Sequence, residues 1–473
     1  MNRLLHLKPN SAYYFFITGI FLTIISPFTF SEGIFMDGLF YSSIARNLSN
    51  GVGTFWQTHF SNTLFPRFYE HPPLALGIQS LFFKIIGASH YTEKIYSLCC
   101  IILTGFIICR IWLLMALRHA WIPLCLWLSV PLVQWSSSNN LLENTVSIFT
   151  CLSVYFYLKA FNRSSKMYFL TSGSMLFLAF LSKGFVGFFP LVFPFFFNLF
   201  SRDFSFSRFT KQTLLMCLGI AVPLFLLISF NQQASVSLYT YLNVQVLKSI
   251  YFVQTVDSRW YLIQRCIFEL IPAFILCAIT VFIYKKQNLD IKLNWNKAFP
   301  FILVAASAVF PMMISLKQSG FYILPSFPFF ALGIGILIYP IVNFLILRIK
   351  THSFSFKVFT SISLLAFCLG LSLSISNVHA VSRDAALLHD IHSIGNYLDD
   401  GSTIGISKNL WTDWSLHGYF IRYKNISLDT SSNIKTQYFL TNLMDQGNEL
   451  NSHLEPILQA TQKYQFYEVC IIK

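Results

Sequence analysis

The chain has 473 residues, 55% of them hydrophobic and only 11% charged, with a mean hydropathy of +0.58. So few charges cannot cover the core of a water-soluble domain of this length, so composition excludes a soluble globular enzyme and selects a polytopic helical membrane protein. The formal charge of +14 does not mark a nucleic-acid partner, because the basic residues fall between apolar runs instead of gathering on one domain.

In chain order, the charge-poor runs long enough for a ~30 Å hydrocarbon layer lie near 12–30, 95–117, 120–138, 144–161, 167–182, 185–200, 212–230, 263–284, 298–315, 321–347 and 356–377. About eleven spans are expected. With Arg3 and Lys8 inside, the even-numbered spans end at Arg118, Arg163/Lys166, Arg202/Arg208/Lys211, Lys285/Lys286 and Arg348/Lys350. All those clusters then share one side, as the positive-inside rule requires. Asp37, Glu70, Glu143, Asp257 and Glu269 fall on the other. This parity predicts a multi-pass protein of the cytoplasmic (inner) membrane, N-terminus cytoplasmic and C-terminus outside. The first run lacks a small-x-small cleavage site and is expected to stay as an anchor.

Residues 31–94 form a large first outer loop. In it, Phe40, Ile44 and Leu48 recur at helical spacing over 37–50. Over 73–87, Leu74, Ile78, Leu81, Phe82 and Ile85 share a face, opposite Gly77, Ser80 and Lys84. The second run is too short to span and starts at Pro72-Pro73, so both helices are expected to lie on the membrane surface. Residues 231–262 make a second outer segment whose Tyr239, Tyr241, Tyr251, Trp260 and Tyr261 suit the headgroup level. Beyond 378 the composition turns soluble: a helix at 384–398, a strand at 402–407, a helix at 411–422, and strands near 436–440 and 466–472. The fold class is therefore an all-α transmembrane domain, 1–377, with interfacial helices in its first outer loop, followed by a small extracytoplasmic α/β domain, 378–473. No repeat of fixed period is present. The ten cysteines sit mostly within apolar spans and lack paired metal spacing, so they read as small buried hydrophobes.

Several polar residues sit where a membrane protein has reason to avoid them. Asp37 opens the first outer helix, where partial desolvation raises a carboxyl pKa and nearby cations lower it; it equally suits a helix N-cap. Glu70 and His71 precede two prolines that fix their direction, and Glu70 could instead pair with Arg67. Glu143 follows the third span at a depth that is costly without a cavity or partner, or caps the fourth. Lys183 and Lys317 end spans on the outer side, against the positive-inside pattern; an outer lysine calls for an anion such as a lipid phosphate, or snorkels to a headgroup. Arg259, beside Trp260-Tyr261, is a third outer cation. Together these residues meet the demands of sugar transfer from a lipid phosphate: a carboxylate to orient or deprotonate the acceptor, cations to hold the departing phosphate, and a membrane groove for the tail.

The order of motifs is an outer acid before a helix, Glu70-His71-Pro72-Pro73-Leu74, an acid after span three, Leu181-Ser182-Lys183-Gly184, and Lys317 leading to Tyr322 and Pro325. It resembles the C-type glycosyltransferases of the protein O-mannosyltransferase and lipid A aminoarabinose transferase type, over most of residues 12–347. The resemblance implies a polyprenyl-phosphate-sugar donor, a lipid, glycan or protein acceptor on the outer face, and inversion at the anomeric carbon. It implies that Asp37 is the catalytic carboxylate, assisted by Glu70 and Glu143. Lys317, Tyr322 and Arg259, with His71 and Lys183, would lie near the donor phosphate. No cofactor is called for; the carboxylates are of a kind that binds a divalent metal, but their spacing does not require one. Two departures stand out. The family often has Asp-Glu where this chain has Asp37-Gly38, and the lipid A enzymes tend to have Glu-Lys-Pro where it has Glu70-His71-Pro72. Both argue against simply assigning aminoarabinose transfer to lipid A. The rival classes are a transporter or flippase of lipid-linked sugars, which would put ionisable residues at the midplane and show a pseudo-repeat, a glycan polymerase or ligase, which would favour a large late outer loop, and a non-catalytic binder of lipid phosphate.

Overall fold

The computed structural model describes residues 9–201, 204–251, 253–285, 292–430, 436–443, 454–457 and 461–469. Arg3, Lys8, Arg202, Lys286 and the end of the last expected strand (470–472) lie outside the described residues. The bundle runs α1 (Pro9–Thr29), α2 (Met36–Ser49), the short strands β1 (Gly53–Thr54) and β2 (Gln57–Thr58), α3 (Leu74–Ile86), α4 (Thr92–Leu114), α5 (Trp121–Leu128), α6 (Pro131–Ser136), α7 (Leu142–Arg163) and α8 (Lys166–Lys183). It continues through α9 (Phe193–Leu199), α10 (Phe206–Phe230), α11 (Gln232–Thr240), α12 (Lys248–Tyr251), α13 (Tyr261–Lys285), α14 (Trp295–Val309), α15 (Phe327–Leu347) and α16 (Phe354–Ser376).

Eight stretches among the described residues are long and apolar enough to cross a membrane, and the chain is a multi-pass membrane protein. Three features account for the remaining expected spans. First, α7 runs the full 22 residues but carries Glu143, Lys159 and Arg163; its Val146, Cys151, Val154 and Tyr157 are buried, so its partners are other helices more than lipid. Second, Lys166–Leu199 counts as one stretch by composition, yet the chain reverses inside it. Gly184 ends α8 at φ +83°, and a Cβ on Gly187 would meet the backbone of Ala179. Eight residues along a continuous helix would separate those positions by about 12 Å. Third, the 120–138 run is broken into α5 and α6 at the extended Val130 preceding Pro131.

Parity supports this larger count. Helices α1 and α16 touch backbone to backbone at Gly19 and Gly370, and the contact advances in one direction: Gly19 meets Phe367, while Gly370 meets Leu22 and Thr23. Just past their ends, Glu32 pairs with Val381 in parallel. Both helices therefore leave the bundle on the same face, which requires an odd number of crossings from α1 to α16.

The C-terminal part holds α17 (Ala385–Gly395), β3 (Thr403–Ile406), α18 (Trp414–Lys424), β4 (Ser427–Asp429), β5 (Tyr438–Asn442), β6 (Leu454–Pro456) and β7 (Tyr464–Val469). Its five strands lie in the order β4-β3-β5-β7-β6; β3 is parallel to β4 and β5, and β7 antiparallel to β5 and β6. The short strands β4 and β6 had no signal strong enough to be expected from sequence. Apolar side chains of α17, α18 and the sheet share a core with Ile34 and Leu39 of the first outer loop.

That packing corrects one expectation. Helix α2 does not lie on the membrane surface; residues Gly38–Asn47 are buried between the bundle and α18. Leu39 fills the space above Gly418, and Arg46 Nη1 donates to the Ile421 carbonyl at 2.7 Å. Helix α3 does show one open apolar edge, with Leu81 and Ile85 exposed and Ala75, Leu76 and Phe83 buried. The 231–262 segment also contains more helix than expected: Asn231 caps α11 through its side chain, and a π-helical stretch, Tyr241–Leu247, follows.

Candidate active site

Helix α2 begins after the extended Phe35, so Asp37 is not the N-cap but the second residue of the first turn, where a carboxylate meets the positive end of the helix dipole. Its position is set by its neighbour. Gly38 lies flat on the turn between α6 and α7, where a Cβ would collide with the Asn139 carbonyl oxygen. Asn140 Nδ2 donates to the Gly38 carbonyl at 2.9 Å, and the Phe35 amide donates to Asn139 Oδ1 at 2.9 Å. Glycine at 38 is therefore a packing requirement, and a second carboxylate could not fit there.

The same turn delivers Glu143 at the start of α7, fully buried. Its Oε1 accepts from Lys183 Nζ, at the end of α8, in a buried ion pair. This pair corrects the expectation for Lys183: the anion it meets is a protein carboxylate. Among the described residues Glu143 makes no cap, and its buried Oε2 has no hydrogen-bond partner. The Lys183 ammonium also sits 5.0 Å from the centroid of Tyr322 and 5.3 Å from that of Phe321, a cation–π arrangement. Behind it, Phe35, Trp135 and Phe321 form an aromatic wall with centroids 5.0–6.3 Å apart.

Lys317 stands on the 315–319 loop, which residues 249–255 hold in place. Ser315 donates to the Ser249 carbonyl at 2.7 Å, the Thr255 amide to the Leu316 carbonyl at 3.0 Å, and the Gln318 amide to Thr255 Oγ1 at 2.8 Å. The charges of Lys317 and Lys183 both reach Asp37, and those of Lys317 and Lys248 reach Glu70. Burial raises the carboxyl pKa of Asp37, against the opposing pull of Lys183 and Lys317. Burial also raises Glu70, with Lys317 opposing and Asp37 adding to the rise. Lys317 is lowered by burial although both carboxylates favour its charge. Among the described residues no ion pair joins Glu70 to Arg67.

His71 is half-buried beside this cluster. Burial and the neighbouring Lys183 and Lys317 push its pKa well below 6.5, so it is neutral. Its Nε2 lies 3.1 Å from Tyr41 Oη, while its buried Nδ1 has no partner among the described residues. Six of the eight sequence candidates, Asp37, Glu70, Glu143, Lys183, Lys317 and Tyr322, thus share one charge cluster, with His71 against it. Arg259 is not drawn in: its side chain is exposed, and its contact with the site is a backbone carbonyl accepting from Gln318 Nε2 at 3.3 Å. Glu269 belongs elsewhere, paired with Arg265 at 2.6 Å and accepting from the Leu132 amide at the start of α6. Sequence reasoning missed Tyr41, one turn after Asp37, and Lys248. The first was legible from i, i+4 spacing; the second becomes a neighbour only through the helical path of 231–251.

The crystal structure of ArnT from Cupriavidus metallidurans bound to undecaprenyl phosphate superposes with a TM-score of 0.66 at 13% identity, covering 95% of this chain and 97% of that one. Its apo form gives 0.65 at 13%, covering 95% and 96%. The chain has the GT-C fold. Residues 70–230 match the family model described as dolichyl-phosphate-mannose-protein mannosyltransferase, a stretch of the GT-C bundle that contains Glu70, Glu143 and Lys183. A weaker likeness, TM-score 0.49 at 12% identity over 92% of this chain and 69% of the other, is to the oligosaccharyltransferase AglB from Archaeoglobus fulgidus. No curated protein sequence matches the chain.

Proposed function

We propose that the protein is a membrane glycosyltransferase that moves one sugar from a polyprenyl-phosphate donor to a hydroxyl or amine acceptor on the outer face of the cytoplasmic membrane. The observation that carries this reading is the opposition of Asp37 and Glu70 to Lys317 and Lys183, at the edge of a GT-C bundle. The step is a single displacement with inversion. Asp37 orients the acceptor and takes its proton as the acceptor oxygen or nitrogen bonds to the anomeric carbon. The bond from that carbon to the phosphate oxygen breaks, and the departing phosphate keeps the electron pair. Lys317, with Lys248 nearby, stabilises the charge gathering on that phosphate. Glu143 Oε2, buried and unpaired, accepts from a sugar or acceptor hydroxyl, while Lys183 holds it in place. The N-terminus is cytoplasmic, and the C-terminal domain stands outside over α2.

The test is single-turnover transfer of radiolabelled sugar from polyprenyl-phosphate donors by the purified protein in lipid, with native membrane extract as acceptor pool. Label should move with the wild type and fall at least about 10²-fold with Asp37→Asn. Transfer that survives the substitution would remove Asp37 as the base. Binding of polyprenyl phosphate without any transfer would favour a transporter or a non-catalytic binder.

A further inference from the structure

Away from the charge cluster, an open apolar groove of about 450 Å³ runs between α1, α5 and α13, lined among others by Ile20, Ile24, Leu128, Pro272 and Leu276. A second cavity of about 280 Å³ continues it toward the outer face, sharing Ile24 and Gln134 and adding Trp135, Ser138, Ser382 and Arg383. The pair thus forms one channel, apolar along the bundle and polar at its end. Its mouth is built where the chain pairs Glu32 with Val381, which sets Gly33 against Arg383 so closely that a Cβ would meet the Arg383 carbonyl at 2.5 Å.

Arg383 is the cation at this mouth. Its Nε lies 3.4 Å from Asp384 Oδ2, its guanidinium carbon is 5.7 Å from the Phe35 ring, and about half of its side chain is exposed, 48%. Among the described residues neither Nη group has a protein hydrogen-bond partner. The Asp384 carboxylate beside it is also engaged, accepting from Tyr419 Oη at 3.1 Å. Trp135, which lines the channel, packs on Phe35 and Phe321, and Phe321 in turn lies against the Lys183 ammonium.

We propose that this channel is a second lipid seat, taking one hydrocarbon chain of an anionic phospholipid whose phosphate is held by the Arg383 guanidinium. The fit is one of charge and shape. An apolar stripe at helical spacing, Ile17, Ile20, Ile24 and Phe28, lies along the channel on α1. It leads a chain to a planar five-donor cation, the group best matched to phosphate oxygens, while Gln134 and Ser138 offer polar contacts at the level of the ester groups. The seat does not depend on the transferase reading, since lipid can bind whether or not sugar moves.

The experiment is photolabelling in nanodiscs by phosphatidylglycerol carrying a diazirine on its acyl chain, with adducts mapped by peptide mass spectrometry. Phosphatidylcholine bearing the same chain is the comparison probe. Adducts of the anionic probe are expected on the 16–28 and 272–276 peptides, at least threefold more than with phosphatidylcholine. Arg383→Gln should abolish that preference and Arg383→Lys should retain part of it; as the side chain is half exposed, neither change should impair folding. Ile24→Trp, which fills the shared part of the channel, should suppress both probes there. Equal labelling by the two probes, a preference that survives Arg383→Gln, or absence of adducts from both peptides would each overturn the proposal. Labelling is scored without turnover, so a failed transferase assay leaves this result standing, and the reverse also holds.

Discussion

Asp37 is an aspartate whose environment draws it in two directions. Burial raises its pKa while Lys183 and Lys317 lower it, and the net direction is upward. A base must be ionised to act, so transfer should fall as pH drops through the raised value. The acid limb of the rate profile is expected to lie above the ordinary aspartate value of about 3.9. Lys317→Gln removes one of the two opposing cations and should move that limb further up, besides weakening donor binding; a limb that stays fixed would show that Asp37 does not set it. The Glu143–Lys183 pair makes a different prediction. Lys183→Met leaves a buried carboxylate uncompensated and should cost about 3–5 kcal/mol, whereas Lys183→Met with Glu143→Gln should recover most of it. Thermal unfolding in detergent of the two variants beside wild type checks this. Gly38→Ala, whose methyl would meet the Asn139 carbonyl, should displace the start of α2 and lower transfer together with stability.

At the scale of elements, the joint between the C-terminal domain and the bundle is held by polar clamps as well as apolar packing. Arg422 is buried, pairs with both Glu93 carboxylate oxygens at 3.3 and 2.8 Å, and donates to the carbonyls of Ala88 and Ser89 at 3.1 and 2.7 Å. Arg422→Met should strand Glu93 in the interior, loosen the domain and expose α2, seen as faster proteolysis after residue 377 while the spans stay intact. A second contact is sensitive to pH: His392 Nε2 lies 2.7 Å from Glu32 Oε1. The hydrogen bond that its ring N–H donates to Glu32 is the main cause of a raised His392 pKa. For Glu32, burial acts upward but is outweighed by hydrogen bonds from His392 and Tyr423, and its pKa falls. His392 therefore contributes stability below its unfolded value of about 6.5 and loses it as pH rises through the raised folded value. Glu32 contributes above about 4.3 and loses it as pH falls through its lowered folded value. Hydrogen exchange of α17 is expected to be slowest between those limits and to speed up above neutrality; an exchange rate that follows only intrinsic chemistry across this range would exclude the contact as a contributor. Half of the His392 side chain is exposed, so solvent screens the pair and the effect should be small.

For the whole molecule, the same-face exit of α1 and α16 puts the start of α1 and the C-terminal part at opposite faces of the bundle. Reporter fusions at the two ends should read opposite compartments, with the C-terminal one sharing the side of a cysteine placed at Glu70. The bundle thereby gathers five elements on one rim: the start of α2, the 70–73 turn, the start of α7, the end of α8 and the 315–319 loop. None of these segments makes the cluster alone. Gly184 turns α8 back under Tyr241, whose hydroxyl a Cβ at 184 would meet, and Ser249 and Thr255 fasten the Lys317 loop. Residues 241–255 therefore shape the site through both side-chain and backbone contacts.

What the sequence determined by itself was whatever follows from local patterning. Span length and hydropathy mark the membrane helices, and acids or lysines at span ends mark one rim, because the cost of charge in hydrocarbon acts residue by residue. Period alone also located α2 and α3. Burial of α2 was not legible, since its Phe40, Ile44 and Leu48 would look the same against lipid or against α18. Only the tertiary structure decided that Lys183 answers Glu143, that Gly38 is required by Asn139, that Arg259 stays outside, and that Lys248 comes near Glu70. Those are contacts between residues distant in sequence or turned by a nonlocal backbone path, and no local property of either partner encodes the distance between them.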